Sequence, residues 1–140
     1  MNYFSAAKIL REHGIPFVTH IMIGLPGEGD AELCETVDAV NRSDSWGIKI
    51  HSVYVSRGTK LEAMYRNKEY VPIEINTYVR RAAYVLTHVK PDTVVHRITG
   101  DCPKDMLVAP LWNLNKNEVI AKIRDELQRL GQRQGSEYCK

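Results

Sequence analysis

A chain of 140 residues is long enough to bury one hydrophobic core and too short for two ordinary domains. With 44% hydrophobic and 26% charged residues, its composition excludes disorder, collagen and coiled coil as descriptions of the whole chain. The net charge of +2 favours no nucleic-acid partner, and no apolar run approaches the ~18 residues of a membrane span. The three cysteines are far apart and form no C-x-x-C pair, which indicates a cytoplasmic protein with reduced thiols.

Hydrophobic periodicity predicts helices that alternate with strands along the chain. The first half contains a helix, a strand rich in β-branched residues, a glycine-proline turn and a second helix. These elements are predicted at residues 3–13, 17–23, 24–27 and 30–42.

The second half continues the alternation. It contains a buried strand, a short helix with a capping box at Thr59 and Glu62, an amphipathic helix, a third strand and a last helix. These elements are predicted at 47–55, from 60, at 74–89, at 93–99 and from Asn115 to a stop at Gly131. The stretch 102–112 contains prolines and breaks the rhythm, and the polar tail 132–140 is predicted to be mobile, separate from a domain at 1–131.

The resulting order, α-β-α-β-α-α-β-α, is typical of an α/β protein with parallel strands. About three parallel strands with flanking helices make a thin sheet, and the chain opens on a helix with no strand before it. Both features predict a fragment at the end of a larger α/β unit.

The turn after the first strand is the most informative segment. Gly24, Leu25, Pro26, Gly27 and Glu28 follow the carboxyl end of a parallel strand, where α/β proteins place their ligands. The segment matches neither G-x-x-x-x-G-K-[ST] nor G-x-G-x-x-G, so it is not a phosphate loop of either kind.

Four segments in order, HIMIGLPGE, GIKIHSVYVSRGTKL, VVHRITGDCP and APLWNLNK, resemble the carboxyl-terminal half of radical S-adenosylmethionine (radical SAM) enzymes. The resemblance is strongest to the YhcC-type Fe–S oxidoreductases, which are related to oxygen-independent coproporphyrinogen oxidases and the catalytic subunit of Elongator. It implies a partial TIM-like (β/α) barrel, of which this chain supplies the carboxyl-terminal part, and a partner in the missing amino-terminal half.

The resemblance also implies cofactors for the intact protein, S-adenosylmethionine and a [4Fe–4S] cluster. The family's C-x-x-x-C-x-x-C motif is absent from this sequence, so this chain alone is expected to hold no cofactor and to be inactive. The superfamily's loose adenine-binding pattern, G-x-I-x-G-x-x-E, aligns with His20, Met22 and Gly24. Gly27 takes the place of the acid, and Glu28 follows one residue later.

The resemblance therefore implies contacts to S-adenosylmethionine from the turn and the second strand, and contacts to substrate or barrel lumen from other polar residues. The cofactor contacts are Met22, Gly24, Leu25, Pro26, Gly27, Glu28, Lys49 and His51; the substrate or lumen residues are His20, Arg97 and Asp101. The catalytic residues are unknown.

Polar residues inside the strands leave alternatives open. Three histidines, His20, His51 and His96, each lie four residues before a strand end, a depth that would suit a His₃ metal site. Alternation turns His96 towards the helices, so no metal is expected. Lys49 is either ion-paired with Asp101 or in contact with a carboxylate of the cofactor or substrate, and Arg97 is expected to brace Asp101.

Two other functions compete with the radical SAM interpretation. One is a metal-dependent barrel hydrolase that uses the strand histidines, and the other is a non-catalytic RNA-binding module. RNA has no support from the charge balance. The open edges of a sheet cut from a barrel predict a homodimer or higher self-association, and no membrane partner is expected.

Overall fold

The structure, a computed structural model, describes residues 1–139. Its helices and strands follow the predicted alternation. They are α1 (Tyr3–Glu12), β1 (Val18–Ile23), α2 (Asp30–Ser43), β2 (Gly47–Ser52), β3 (Val55–Ser56), α3 (Lys60–Arg66), α4 (Ile75–His88), β4 (Val94–Arg97), β5 (Leu107–Ala109), a 3₁₀ turn (Leu111–Leu114) and α5 (Lys116–Leu130). No helix among these residues is long and apolar enough to cross a membrane.

The main sheet has three parallel strands in the order β1-β2-β4. The crossovers run through α2 and through α3 and α4, as parallel strands require. The predicted α/β class with three parallel strands and flanking helices is therefore confirmed.

One face of this sheet is covered by helices. Ile21 and Ile23 of β1 and Ile48 and Ile50 of β2 are almost completely buried. They pack in one cluster with apolar residues of the helices, among them Val37 and Val40 of α2, Tyr78, Ala82 and Val85 of α4, and Val119 and Ile123 of α5. Each helix thus buries its apolar stripe on the same side of the sheet.

The residues between these isoleucines point to the opposite face, which we call the open face. His20 and Met22 are exposed there, and Lys49 and His51 are partly buried. Alternation along β1 and β2 therefore separates an aliphatic face from a polar one.

The predicted strand 47–55 is in fact two strands. Regular pairing in β2 ends at Ser52, and Val55–Ser56 pairs antiparallel with β5 in a separate two-stranded sheet. β5 lies within the proline-containing stretch 102–112, where the predicted alternation of helices and strands breaks. Val53, Val55, Tyr70 and Ala109 form a second small core there, so the apolar run continues although the strand changes partner.

β4 contains an irregularity that reverses one prediction. The register with β2 shifts after Ile48, so that Val95 pairs with Ile48 but Arg97 pairs with Lys49. His96 is the extra residue, and its ring lies 3.0 Å from the position of a β-carbon on Gly47, on the open face. The prediction that His96 points to the helices is wrong, because a bulge breaks the alternation on which it rests.

The tail after α5 lies against the carboxyl end of α4. The Gly135 and Glu137 amides donate to the carbonyl oxygens of Leu86 (3.0 Å) and Thr87 (2.9 Å). These bonds satisfy carbonyl groups that the last turn of a helix leaves without intrahelical partners. The mobility of this tail in solution stays a prediction.

Candidate functional site: a cavity at the carboxyl ends of the strands

A cavity of about 520 Å³ opens where β1 and β2 end. Six of the residues predicted from the sequence line it: His20, Met22, Leu25, Pro26, His51 and Asp101. Ser52, Val53, Tyr54 and Leu61 complete the wall. The volume is within the usual range for small-molecule sites, about 300–1,000 Å³. The structure thus brings together residues from both strands, three loops and α3, and the roles of the predicted residues in binding stay predictions.

The glycine-proline turn forms one wall of this cavity. Gly24 has φ +104°, and a β-carbon there would lie 3.0 Å from Cγ2 of Ile73, so glycine meets both a backbone and a packing requirement. The Tyr70 hydroxyl donates to the Gly24 carbonyl at 2.7 Å. These contacts hold the turn in place.

The remaining turn residues face a second, smaller cavity. Gly24, Gly27 and Glu28 line a space of about 240 Å³ with Tyr70 and Arg81. Glu28 is exposed. The predicted cofactor set is therefore divided by the turn, and only Leu25 and Pro26 line both cavities.

Two histidines meet on the open face beside the larger cavity. Nε2 of His51 lies 3.1 Å from Nδ1 of His20, and the rings are stacked with centroids 5.0 Å apart. A hydrogen bond at this distance requires one of the two nitrogens to be protonated. Partial burial lowers the pKa of His51, and the positive charges of His20, Arg97 and Lys49 lower it further.

Asp101 has a different partner from the one predicted. Its carboxylate accepts from Nζ of Lys116 at 2.7 Å, and this hydrogen bond holds the pKa of Asp101 below its ordinary value. Among residues 1–139, neither Lys49 nor Arg97 forms an ion pair with it. The Arg97–Asp101 brace is therefore wrong, and so is the Lys49–Asp101 pair, one of the two alternatives for Lys49, because Asp101 turns towards the first residue of α5.

Tyr54 is a cavity residue that is not among the predicted site residues. Its hydroxyl donates to the carbonyl oxygen of Asp101 at 3.1 Å and links the end of β2 to the loop after β4. Partial burial raises the pKa of Tyr54, and a neighbouring thiol, Cys102, raises it further. Its position two residues after the end of β2 is the sequence signal that could have placed it here.

The side chains present do not fit an iron–sulfur cluster or a metal centre. Cys34 lies in α2, Cys102 follows β4, and Cys139 lies in the tail, all three free. Within the described part of the chain, no three His, Cys, Asp or Glu residues are grouped so that they could hold a metal ion. A hydrolase centre built on the strand histidines therefore lacks a third ligand in these residues.

Comparison with known families adds the decisive observation. Residues 45–129 match the model of the Radical_SAM C-terminal domain. The chain belongs to this family. The resemblance predicted from the four segments is thus confirmed, and the Radical_SAM C-terminal domain includes β2, β4 and the loop that carries Asp101.

Individual relatives agree with this assignment. The chain is 37% identical over 133 residues to YtqA of Bacillus subtilis, covering 95% of this chain and 41% of YtqA. It is 30% identical over 114 residues to YhcC of Escherichia coli, covering 81% of this chain and 37% of YhcC. The chain thus spans about two fifths of the length of these relatives.

The fold also matches a solved structure. Archaeal Methanocaldococcus infernus Elp3 with an N-terminal deletion superposes with a TM-score of 0.79, over 94% of this chain and 31% of that chain. At 20% identity this likeness shows a shared fold and nothing about activity.

Proposed function

We propose that this chain is the carboxyl-terminal part of a radical SAM oxidoreductase barrel, where it holds the adenosyl group of S-adenosylmethionine and shapes the substrate cavity. One observation supports this proposal above all others: the cavity at the ends of β1 and β2 gathers six residues that the family resemblance implied.

The cavity suits an adenosyl group in size and chemistry. Met22, Leu25, Pro26 and Val53 provide apolar surface for a flat base, and the turn provides backbone groups that a base can hydrogen-bond. In the whole protein, S-adenosylmethionine supplies the chemistry of hydrogen abstraction. This chain's own residues bind and orient the adenosyl group and exclude water from it.

We assign the predicted residues to two sides of this site. Met22, residues 24–28, Lys49 and His51 face the cofactor in this proposal, and His20, Arg97 and Asp101 face the substrate. In this proposal, the iron–sulfur cluster and the other half of the barrel wall come from an amino-terminal part of the protein. The greater length of the relatives agrees with this.

A methyl-NMR titration tests the adenosyl site. Of the four methionines, Met22 lines the cavity, and Met106 lies outside it. With ¹³C-methyl methionine, millimolar 5′-deoxyadenosine is expected to shift the Met22 signal and to leave Met106 unchanged. A shift of Met106 alone, or no shift at saturation of the nucleoside, would contradict the proposal.

Iron analysis tests the assignment of the cluster to another part of the protein. After anaerobic reconstitution with iron and sulfide, this chain is expected to stay colourless, because it lacks the cysteine triad. Absorbance near 400 nm with about four irons per chain would show that the chain holds a cluster by itself.

The partner proposal is tested by light scattering. β1 is an edge strand, and Met22 and Val94 on the open face are substantially exposed. We expect the isolated chain to form a homodimer that covers this edge. A mass near 16.0 kDa that persists on concentration would contradict that expectation.

A further inference from the structure

A row of basic side chains crosses the open face of the sheet. In the register of the three strands, His20 of β1 lies beside Lys49 of β2, and Lys49 lies beside Arg97 of β4. His51, one pleat further along β2, is joined to His20 by the 3.1 Å hydrogen bond. Neighbouring strands are ~4.8 Å apart, so these groups share one local electrostatic environment.

The row is unfavourable in the protein alone. Like charges on directly opposed residues of neighbouring strands destabilise a sheet. Among residues 1–139, the ammonium of Lys49 and the guanidinium of Arg97 have no ion-pair partner, and the acid nearest along the cavity wall, Asp101, is paired with Lys116. Asp101 attracts Arg97 over a longer distance but forms no ion pair with it, so packing gives no reason to keep these two cations side by side on a chain whose net charge is only +2.

S-adenosylmethionine does not supply the missing negative charge. It carries a sulfonium, an ammonium and one carboxylate, so the molecule as a whole is a cation. A single carboxylate would also offset only one of the two permanent charges of the row. A phosphate ester carries about −1.5 to −2 at neutral pH and several strong acceptor oxygens.

We propose that His20, Lys49, Arg97 and His51 together bind a phosphate group of the substrate. The inference rests on the proposed function for the identity of the ligand as substrate, and it moves Lys49 and His51 from the cofactor side of the site to the substrate side. Arg97 offers a planar fork of donors, Lys49 a point charge, and the histidine pair an N–H donor at its rim.

The histidine pair provides a local signal of binding. The titratable and charged groups around His51 are His20 on β1, Lys49 on its own strand, Arg97 on β4, and Tyr54 and Asp101 on the loops that close the cavity. The cations among them lower the pKa of His51. A bound dianion opposes these charges, so the pKa of His51 rises when phosphate binds.

The experiment titrates the 140-residue protein with inorganic phosphate and with pyrophosphate at constant ionic strength, followed by imidazole NMR. We expect saturable shifts of His20 and His51, an upward shift of the His51 pKa, and no change at His13, which lies at the end of α1. Acetate serves as a carboxylate probe and is expected to bind at least tenfold more weakly.

Charge-removing variants distinguish a specific phosphate site from non-specific attraction of anions to a positively charged surface. Lys49→Gln and Arg97→Gln are each expected to weaken pyrophosphate binding about tenfold, since each removes a charge-assisted contact. Lys122→Gln on α5 removes the same charge elsewhere and is expected to have no effect. Lys49→Arg is expected to keep binding.

Three results would overturn the proposal: no saturation with pyrophosphate, equal affinity for acetate and phosphate, or the same loss in Lys122→Gln as in Lys49→Gln. The adenosyl proposal is tested separately in the unsubstituted protein, where uncharged 5′-deoxyadenosine should shift Met22 whether or not phosphate binds. Far-ultraviolet circular dichroism shows whether Lys49→Gln and Arg97→Gln are folded.

Discussion

The two faces of the three-stranded sheet share one backbone and differ in almost everything else. On the covered face, Ile21, Ile23, Ile48 and Ile50 are at most 2% exposed. The intervening residues of the open face are the basic His20, Lys49 and His51 and the apolar Met22, and Met22 is 49% exposed. The pleat alone assigns successive residues to one role or the other.

The difference shows where the stability of this fold resides and where its chemistry can be. Substitutions on the covered face change packing against three helices, and their effect is on folding. Substitutions on the open face leave that packing in place and change charge and ligand contacts. The following predictions test this division, in order of decreasing expected effect.

The largest effect is expected for truncation on the covered face. Ile50→Ala should lower the free energy of unfolding by about 2–5 kcal/mol, because Ile50 is fully buried and its removal leaves a cavity. Met22→Ala, in the adjacent strand on the open face, should cost about 0.5 kcal/mol or less. Urea unfolding of both variants measures the contrast, and equal losses would mean that the open face is packed in solution.

A smaller loss of unfolding free energy is expected for a substitution at Ser52, the polar residue at which the covered face ends. The Ser52 hydroxyl donates to Oδ1 of Asn113 at 2.5 Å and accepts from the amide of Gly100 at 3.1 Å, and all three residues are buried. Ser52→Ala leaves these partners unsatisfied and should cost about 1–3 kcal/mol.

Ser56→Ala is the matched control for this loss. The hydroxyl of Ser56 is without a hydrogen bond to any residue that the structure describes, and its removal should be nearly neutral. The same urea measurement compares the two serine variants, and a loss of similar size in both would show that the Ser52 hydroxyl contributes nothing specific.

A pH dependence is expected from His51 on the open face. Its pKa is lowered from 6.5, so the unfolded chain binds this proton at a higher pH than the folded protein does. Stability is therefore complete above pH 6.5 and falls as the pH drops towards the folded pKa. Thermal unfolding between pH 5 and 8 should show a shallower acid slope in His51→Gln, and an unchanged slope would rule out this contribution.

The smallest effect has the opposite sign. Lys49→Gln should raise the free energy of unfolding by about 0.2–1 kcal/mol, because it removes a like-charge neighbour of Arg97. Measurement at low salt gives the full difference, which should shrink as salt is added. Destabilisation by this variant would mean that Lys49 has a structural partner after all.

Much of the fold could be predicted from periodicity. The apolar stripes of the helices and the apolar strands are the surfaces that pack together in the fold, so α2, α4 and the parallel sheet could be predicted from the sequence. The second sheet could not be predicted, because the run from β2 into β3 stays apolar while its hydrogen-bonding partner changes. Strand pairing depends on residues far apart in sequence, and β3 pairs with β5, which lies some fifty residues later along the chain.

The candidate site was predictable to the same extent. The resemblance implied Leu25, Pro26 and His51, which line the cavity, and also Lys49, which is not among its lining residues. His96 and Asp101 were misplaced for local reasons: a bulge turns the first, and Lys116 attracts the second. The hydrophobic pattern predicts neither a one-residue register shift in a strand nor which of several cations pairs with a given carboxylate.

The packing of the tail against the protein limits which substitutions are tolerated near the carboxyl terminus. Gly135 adopts φ +71°, and a β-carbon there would lie 2.6 Å from the backbone of Pro91. Gln134 next to it donates to the carbonyl oxygen of Thr93 at 2.5 Å, just before β4 begins. In a saturation mutagenesis screen, position 135 would therefore tolerate as few replacements as a core isoleucine, within a segment whose composition is that of a linker.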